Sequence, residues 1–461
     1  MSNSSIQRSK NHSKRASFVF VTAVVAAGGG VLFSGIGIAF SDPMPNLIGF
    51  ALLGMGISVV AYRYYNDLFS PMGLFGIGWF LPLAVSQLYL SDYQSPLDLL
   101  TWAAVLGSAI SFIMGTLIVL KIYPLTIASI KKMDWLALYD SARLRFAITV
   151  LLVVAVIAYG YEVYSAMGIP LLLSGEERTT AYMTLPQEYI HYLTVSAIPV
   201  AALAIAYIQV FGRKKSVWEF GVLMLATLLI FSILARLQLF MILFCGLAVV
   251  NYMRKRLTLR LMIVLFIIVL IVSIWLGNFR AGIGVDYVRS IYLIYRLPQW
   301  ADFLAWPYAY TSLNFELLNR IIHGGYEQTF GAMTFRPLLA FTLTRKLFPL
   351  PAFDVTCFNT GTYLWELYSD FKLAGCLIIP FFYGAFATWF YHRMRMRPTV
   401  ATILIYGLVI YIVVFLFQGN GFAYPPLYVF AFEIWFVIEF SKRKKLVRPE
   451  VETVIRRAYR S

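Results

Sequence analysis

Long apolar runs separated by short polar clusters set the pattern of this chain. A helix rising about 1.5 Å per residue needs about 20 residues to cross ~30 Å of hydrocarbon. Candidate runs fall at 18–40, 47–62, 69–90, 97–120, 146–168, 192–211, 218–234, 237–253, 261–279, 372–391, 400–418 and 422–440. They predict an all-α polytopic membrane protein with about 12 transmembrane helices. The stretch 218–253 would be ~54 Å long as one helix. Arg236 and Gln238 interrupt it near its centre, so it reads as a tight hairpin of two short spans.

Composition agrees with this pattern. Hydrophobic residues make up 60% and charged residues 13% of the chain, against roughly half and a quarter in soluble domains. Mean hydropathy is +0.75. Residues 1–17 form a basic N-terminal segment ahead of an apolar run with no clear small-residue cleavage site. That run reads as a retained first span, not a signal peptide. Cys245, Cys357 and Cys376 have no metal-ligand spacing, and no disulfide is expected.

The net charge of +16 is mostly topology. With the N-terminus in the cytoplasm, 28 of the 38 Lys and Arg fall on the inner side, including the basic tail 441–461. Binding to anionic headgroups accounts for the basic balance, and no nucleic acid is required. Two outer segments are more than turns. One is 169–191; the other, 280–371, is a large loop between the ninth and tenth spans. Pro298, Pro307, Pro337 and Pro351 divide that loop, and pieces such as "SLNFELLNRII" and "FRPLLAFTLTRKLF" read as short amphipathic helices on or near the bilayer surface. Spans 1–9 thus occupy 18–279 and spans 10–12 occupy 372–440. No internal repeat stands out.

The outer side carries the residues with chemical potential. Arginine presents a planar fork of donors suited to phosphate oxygens. Arg178, Arg236, Arg280 and Arg336 are the candidates, with headgroup contacts and salt bridges as the plain alternative. Arg236, flanked by apolar residues, either faces a partner or snorkels to the interface. Glu177, in the polar loop "SGEERTTAY", is either a general base or a solvated turn. Glu366 and Asp370 are four residues apart and would be neighbours on a helix. Asp370 is either functional or a helix cap. His323 precedes Gly324 and Gly325 and suits a helix C-terminal cation as well as a base. No sequence pattern for a metal, nucleotide or other cofactor is present.

The segment "NTGTYLWELYSDFKLAGCLIIPFFYGAFATWFY" resembles one found in bacterial O-antigen and capsular oligosaccharide repeat-unit polymerases. The matching residues are Asn359, Thr360, Thr362, Tyr368, Asp370, Phe371, Gly375 and Gly384. Lys372 stands where that family often has glycine. "ILARLQLFMILF" resembles the family's arginine turn between two spans, with Arg236 at the arginine, and Arg336-Pro337 falls in a stretch similar to its large loop. The resemblance covers roughly residues 150–440. It implies an inner-membrane glycosyltransferase, with both termini cytoplasmic, that polymerises undecaprenyl-diphosphate-linked repeat units at the periplasmic face. It also implies lipid-linked donor and acceptor glycans and a chain-length regulator as partners.

Under that reading, Arg178, Arg236, Arg280 and Arg336 hold the lipid diphosphate. The base comes from Glu177, Asp370 or His323, and Glu366, Tyr368 and Asn359 contact sugar. An O-antigen ligase uses the same donor and is the first alternative. A polysaccharide flippase or transporter is the second, disfavoured by nearly charge-free spans in which Glu162 and Glu433 are the exceptions.

Overall fold

The computed structural model describes residues 29–30, 32, 34–38, 43–123, 133–173, 184–185, 188–234, 236–254, 257–281, 285–342 and 360–443. Among these the regular structure is helical, and the one β feature is an isolated bridge between Tyr139 and Lys442. Seven helices are long and apolar enough to cross a membrane: Pro43–Tyr65, Leu99–Ile122, Ser141–Ser165, Tyr189–Phe211, Arg236–Met253, Arg260–Phe279 and Tyr363–Met396. Pro71–Ser86, Val217–Ser232 and Val400–Val414 are shorter apolar helices. The chain is therefore an all-α membrane protein. Most of the predicted first span lies outside the described residues.

The contacts divide the chain into two compact units, and neither is continuous in sequence. The first comprises Met1–Leu125, Ile283–Arg393 and Val409–Pro425; the second comprises Thr126–Gly282, Met394–Leu408 and Pro426–Ser461.

In the first unit, α1 (Pro43–Tyr65) packs against α2 (Pro71–Ser86). Pro71 sits at the start of α2, where its missing N–H costs nothing. Helix α3 (Leu99–Ile122) is started by Asp98, whose carboxylate accepts the Thr101 N–H at 2.6 Å. Such a cap contributes about 1 kcal/mol. Phe75 stacks on Phe112 at 4.0 Å, joining α2 to α3. Gly115 of α3 faces Phe381, and Gly384 faces Phe112, so closely that a Cβ at either position would overlap the opposing backbone. Small residues allow this approach, and dispersion between apposed backbones holds helices together where lipid is as apolar as the side chains.

The second unit holds α4 (Trp135–Leu138), α5 (Ser141–Ser165), and α6 (Glu188–Val195) followed by α7 (Ala197–Phe211). Next comes the hairpin of α8 (Val217–Ser232) and α9 (Arg236–Val249), and then α10 (Leu259–Ala281). The predicted split of 218–253 is present: the chain turns at Ile233 and Leu234, and Arg236 opens the returning helix. Helix α7 is buried along almost its whole length. Buried acids in this unit have partners. Glu219 takes Arg145 at 2.7 Å, Glu162 faces His191 Nδ1 at 3.1 Å, and Glu433 accepts the Ser196 hydroxyl at 2.6 Å.

Two expectations need correction. "SLNFELLNRII" is not a surface helix. It belongs to α12 (Ala305–His323), which follows the short α11 (Val285–Ile291) and packs against α2 and α3. Asn314, Glu316 and Asn319 are buried on it and hydrogen-bonded. Asn314 donates to the Phe417 carbonyl at 3.0 Å, and Glu316 accepts the Ser95 N–H at 3.1 Å. Its amphipathic pattern therefore reports a polar seam inside the protein. The end of the predicted outer loop is also helical: in α14 (Tyr363–Met396) two helical pieces meet at a break at Phe371 and Lys372, the second begins where the tenth span was predicted, and Glu366 and Asp370 lie on the first.

Replacing Gly115 or Gly384 by valine is expected to lower the melting temperature in detergent by several degrees. Overpacking of this kind costs about 1–3 kcal/mol. Gly160→Ala, whose Cβ would meet nothing within 4 Å, is expected to leave melting unchanged or slightly raised.

Candidate functional site

The break in α14 organises the first unit's candidate site. Phe371 (φ −135°, ψ 15°) and Lys372 (φ 52°, ψ −146°) leave helical geometry in the middle of a 34-residue element. A lysine at positive φ costs on the order of 1–3 kcal/mol and persists only where its surroundings hold it. Here Lys372 Nζ donates to the Tyr326 carbonyl at 2.5 Å and stands 5.4 Å from the centre of the Tyr368 ring. Glycine is the residue best suited to such backbone geometry.

Asp370, immediately before the break, is fully buried. One carboxylate oxygen accepts the Thr329 hydroxyl and the Met333 N–H (3.2 Å), and the other accepts the Thr334 N–H at 2.6 Å. The Thr329 N–H also donates to the Ser369 carbonyl at 3.0 Å. These bonds fasten the turn 329–335 to the end of the first helical piece. That turn needs fastening, because Phe330 (φ 46°) and Gly331 (φ 93°) are both left-handed. Directly after it, α13 (Arg336–Ala340) begins. Asp370 had been a candidate base; with both oxygens occupied by donors it is a positioning residue, and the capping alternative is the better description. It caps the turn that carries Arg336, not the helix that follows it.

Glu366 lies one turn earlier on the same piece. The Asn420 amide and the charges of Arg336 and Asp370 act on its carboxyl, and the Asn420 Nδ2 donates to the Tyr383 hydroxyl at 3.2 Å. Its Oε2 is shielded and has no hydrogen-bond partner among the described residues. A shielded carboxylate oxygen without a donor is unfavourable and calls for an explanation. Arg336 is exposed, and no described acid pairs with it within 4 Å. One free acceptor, one free cation and an amide thus converge on the broken helix. Sequence reasoning missed Asn420. The available signal was the polar interruption "QGNG" after an apolar run.

Other outer candidates are engaged elsewhere. His323 Nε2 lies 3.1 Å from Asp98 and Nδ1 lies 2.8 Å from the Asn319 carbonyl. Both ring nitrogens are thus engaged within the protein, at the end of α12. Arg289 pairs with Asp302, Arg296 with Asp92 and Arg320 with Glu316. Tyr368 is buried, with Lys372 over its ring.

No described contact joins any two of the four predicted diphosphate arginines. Arg178, Glu177 and Asn359 lie outside the described residues. Arg236 opens α9 and Arg280 is next to the end of α10, both in the second unit, whereas Arg336 is in the first. The described contacts therefore tie Arg336 alone to the Glu366–Asp370 pair.

No family model matches the chain, and neither a curated protein nor a solved structure does.

Asp370→Asn is expected to lower the melting temperature and to speed hydrogen exchange across 329–335. An amide nitrogen there faces N–H groups, which forfeits about 1–3 kcal/mol. Glu366→Gln, which replaces a shielded carboxyl that has too few partners by a neutral amide of the same shape, is expected to leave stability unchanged or raise it. Comparing the two variants by thermal melting separates anchor from site.

Proposed function

We propose that this protein is a membrane glycosyltransferase that polymerises oligosaccharide repeat units carried on a polyprenyl diphosphate, acting at the outer face of a bacterial inner membrane with both termini cytoplasmic. The observation that carries the reading is the incomplete Glu366 carboxyl, acted on by the charge of Arg336, which pairs with no described acid within 4 Å, on a helix that breaks within the polymerase-like segment. The asymmetry of basic clusters supports the orientation, and the seven helices long and apolar enough to cross a membrane among the described residues support a membrane location.

In this mechanism a sugar hydroxyl of the incoming lipid-linked unit attacks the anomeric carbon of the growing chain. The new C–O bond forms as the anomeric C–O bond to the diphosphate breaks, and the departing lipid diphosphate keeps the electron pair. Glu366 Oε2 takes the hydroxyl proton. Arg336 stabilises charge that builds on the diphosphate, where a fixed guanidinium is strongest. Asn420 orients the carboxyl and Asp370 fixes the turn that delivers Arg336. Arg178, Arg236 and Arg280 remain further candidates for the diphosphate, and Glu177 for the base. The bond energy of the donor drives the reaction, so no nucleotide enters.

Purified protein given lipid-linked repeat units is expected to build a ladder of glycans with no added energy source, which a transporter would not do. Glu366→Gln should slow ladder growth about 100-fold or more, and Arg336→Ala by a similar factor, with both variants still folded. Normal ladders from both would remove this site from the chemistry. In cells, loss of the gene should leave single-repeat products; free lipid-linked polymer without transfer to a core would identify a ligase instead.

A further inference from the structure

The second unit contains a cavity of about 680 Å³ that the proposed glycosyl transfer does not use. It opens where α5 begins, at Ser141, and where α7 ends, at Phe211, so it sits at the level where two apolar spans stop. Three cations line it, from segments far apart in sequence: Arg145, Lys215 and Arg443. The single acid in its wall, Asp134, is engaged as the cap of α4, accepting the Ala137 N–H at 3.3 Å. The start of α5 adds no open donors of its own, because Asp140 already accepts the N–H groups of Ala142 and Arg143.

Arg145 is fixed in place. Its Nε meets buried Glu219 at 2.7 Å, and one terminal nitrogen reaches the Tyr207 hydroxyl at 3.2 Å and the Lys215 carbonyl at 3.1 Å. The guanidinium stays 44% exposed, and its other terminal nitrogen makes no hydrogen bond to a described residue. The contact to its carbonyl also sets the place of Lys215. The side chains of Lys215 and Arg443 are exposed, and neither pairs with a described acid within 4 Å, although the charge of Arg443 acts on Asp140. Three like charges around one space repel one another, and an anion in that space relieves the repulsion.

We propose that this cavity binds a phosphate-bearing anion, with Arg145, Lys215 and Arg443 as its cationic ligands. Its level at the ends of two spans favours the headgroup of an anionic lipid; a soluble phosphate compound offers the same chemistry. This site is independent of the transfer reaction proposed above.

The test uses the full chain in a neutral detergent. Phosphatidylglycerol is titrated and its retention read by native mass spectrometry, with phosphatidylcholine as the comparison. Inorganic phosphate is titrated in parallel and read by melting temperature. Arg145 is left intact, since it neutralises buried Glu219. The site variant is Lys215→Gln with Arg443→Gln. The control is Arg213→Gln with Lys214→Gln, two exposed cations on the same 3-10 turn that do not line the cavity.

The expected result is at least tenfold tighter retention of phosphatidylglycerol than of phosphatidylcholine. The site variant should lose at least tenfold of that affinity, and the control less than twofold. A melting shift with phosphate, absent in the site variant and without lipid selectivity, would support the site and assign it to a soluble anion. Equal losses in both variants, no loss in either, or no response to either probe would overturn the proposal.

Discussion

The carboxylate of Asp370 holds together the part of the first unit on which the chemistry rests. It receives three donors from a turn forty residues earlier in the chain and sits one residue before a helix break. Breaking a helix frees backbone groups that water does not reach at this depth, and left-handed residues in the facing turn add further cost. A charged acceptor bonded to several donors is among the stronger compensations available. The broken helix and the strained turn therefore stabilise each other. The arginine that follows the turn is delivered to the acid one helical turn earlier.

The same logic separates structural from functional charge. Glu219, Glu316 and Asp302 each have an arginine at 2.7–3.0 Å. Such pairs satisfy the charge of the acid. Glu366 has no such arginine, and its Oε2, like that of Glu433, has no hydrogen-bond partner among the described residues; it differs from Glu433 in being acted on by the charge of Arg336, a cation that no described acid claims within 4 Å. Natural proteins tolerate a buried group with missing partners where a ligand or a reaction completes it.

Much of the fold was legible because apolar runs of sufficient length admit few other structures in a membrane. The hairpin at Arg236 was legible for the same reason, since one helix of that length had no place to go. The fate of "SLNFELLNRII" was not. An amphipathic stripe reads alike whether its polar side meets headgroups or, as Asn314 and Glu316 do here, is buried against hydrogen-bond partners within the protein. Glu366 and Asp370 were legible as a pair at helical spacing, but not their division of roles, because that depends on the 329–335 turn reaching back to one of them. Asn420 was invisible: a lone amide in a turn carries no spacing signal until a carboxyl is placed beside it.

Lys372 ties these points together. A glycine would adopt φ 52° there without strain. The lysine accepts the strain and in return bonds the Tyr326 carbonyl and covers the Tyr368 ring, so its cation sits on the same broken element as Glu366 and Asp370. Resistance of the break to straightening thus comes from two side chains, an acid before it and a base within it. The transfer proposed at Glu366 depends on that rigidity, since a hydroxyl proton is transferred only over about 2.6–3.2 Å. A helix free to re-form across Phe371 would rotate the carboxyl away from Arg336, and the free acceptor and free cation would no longer face one substrate.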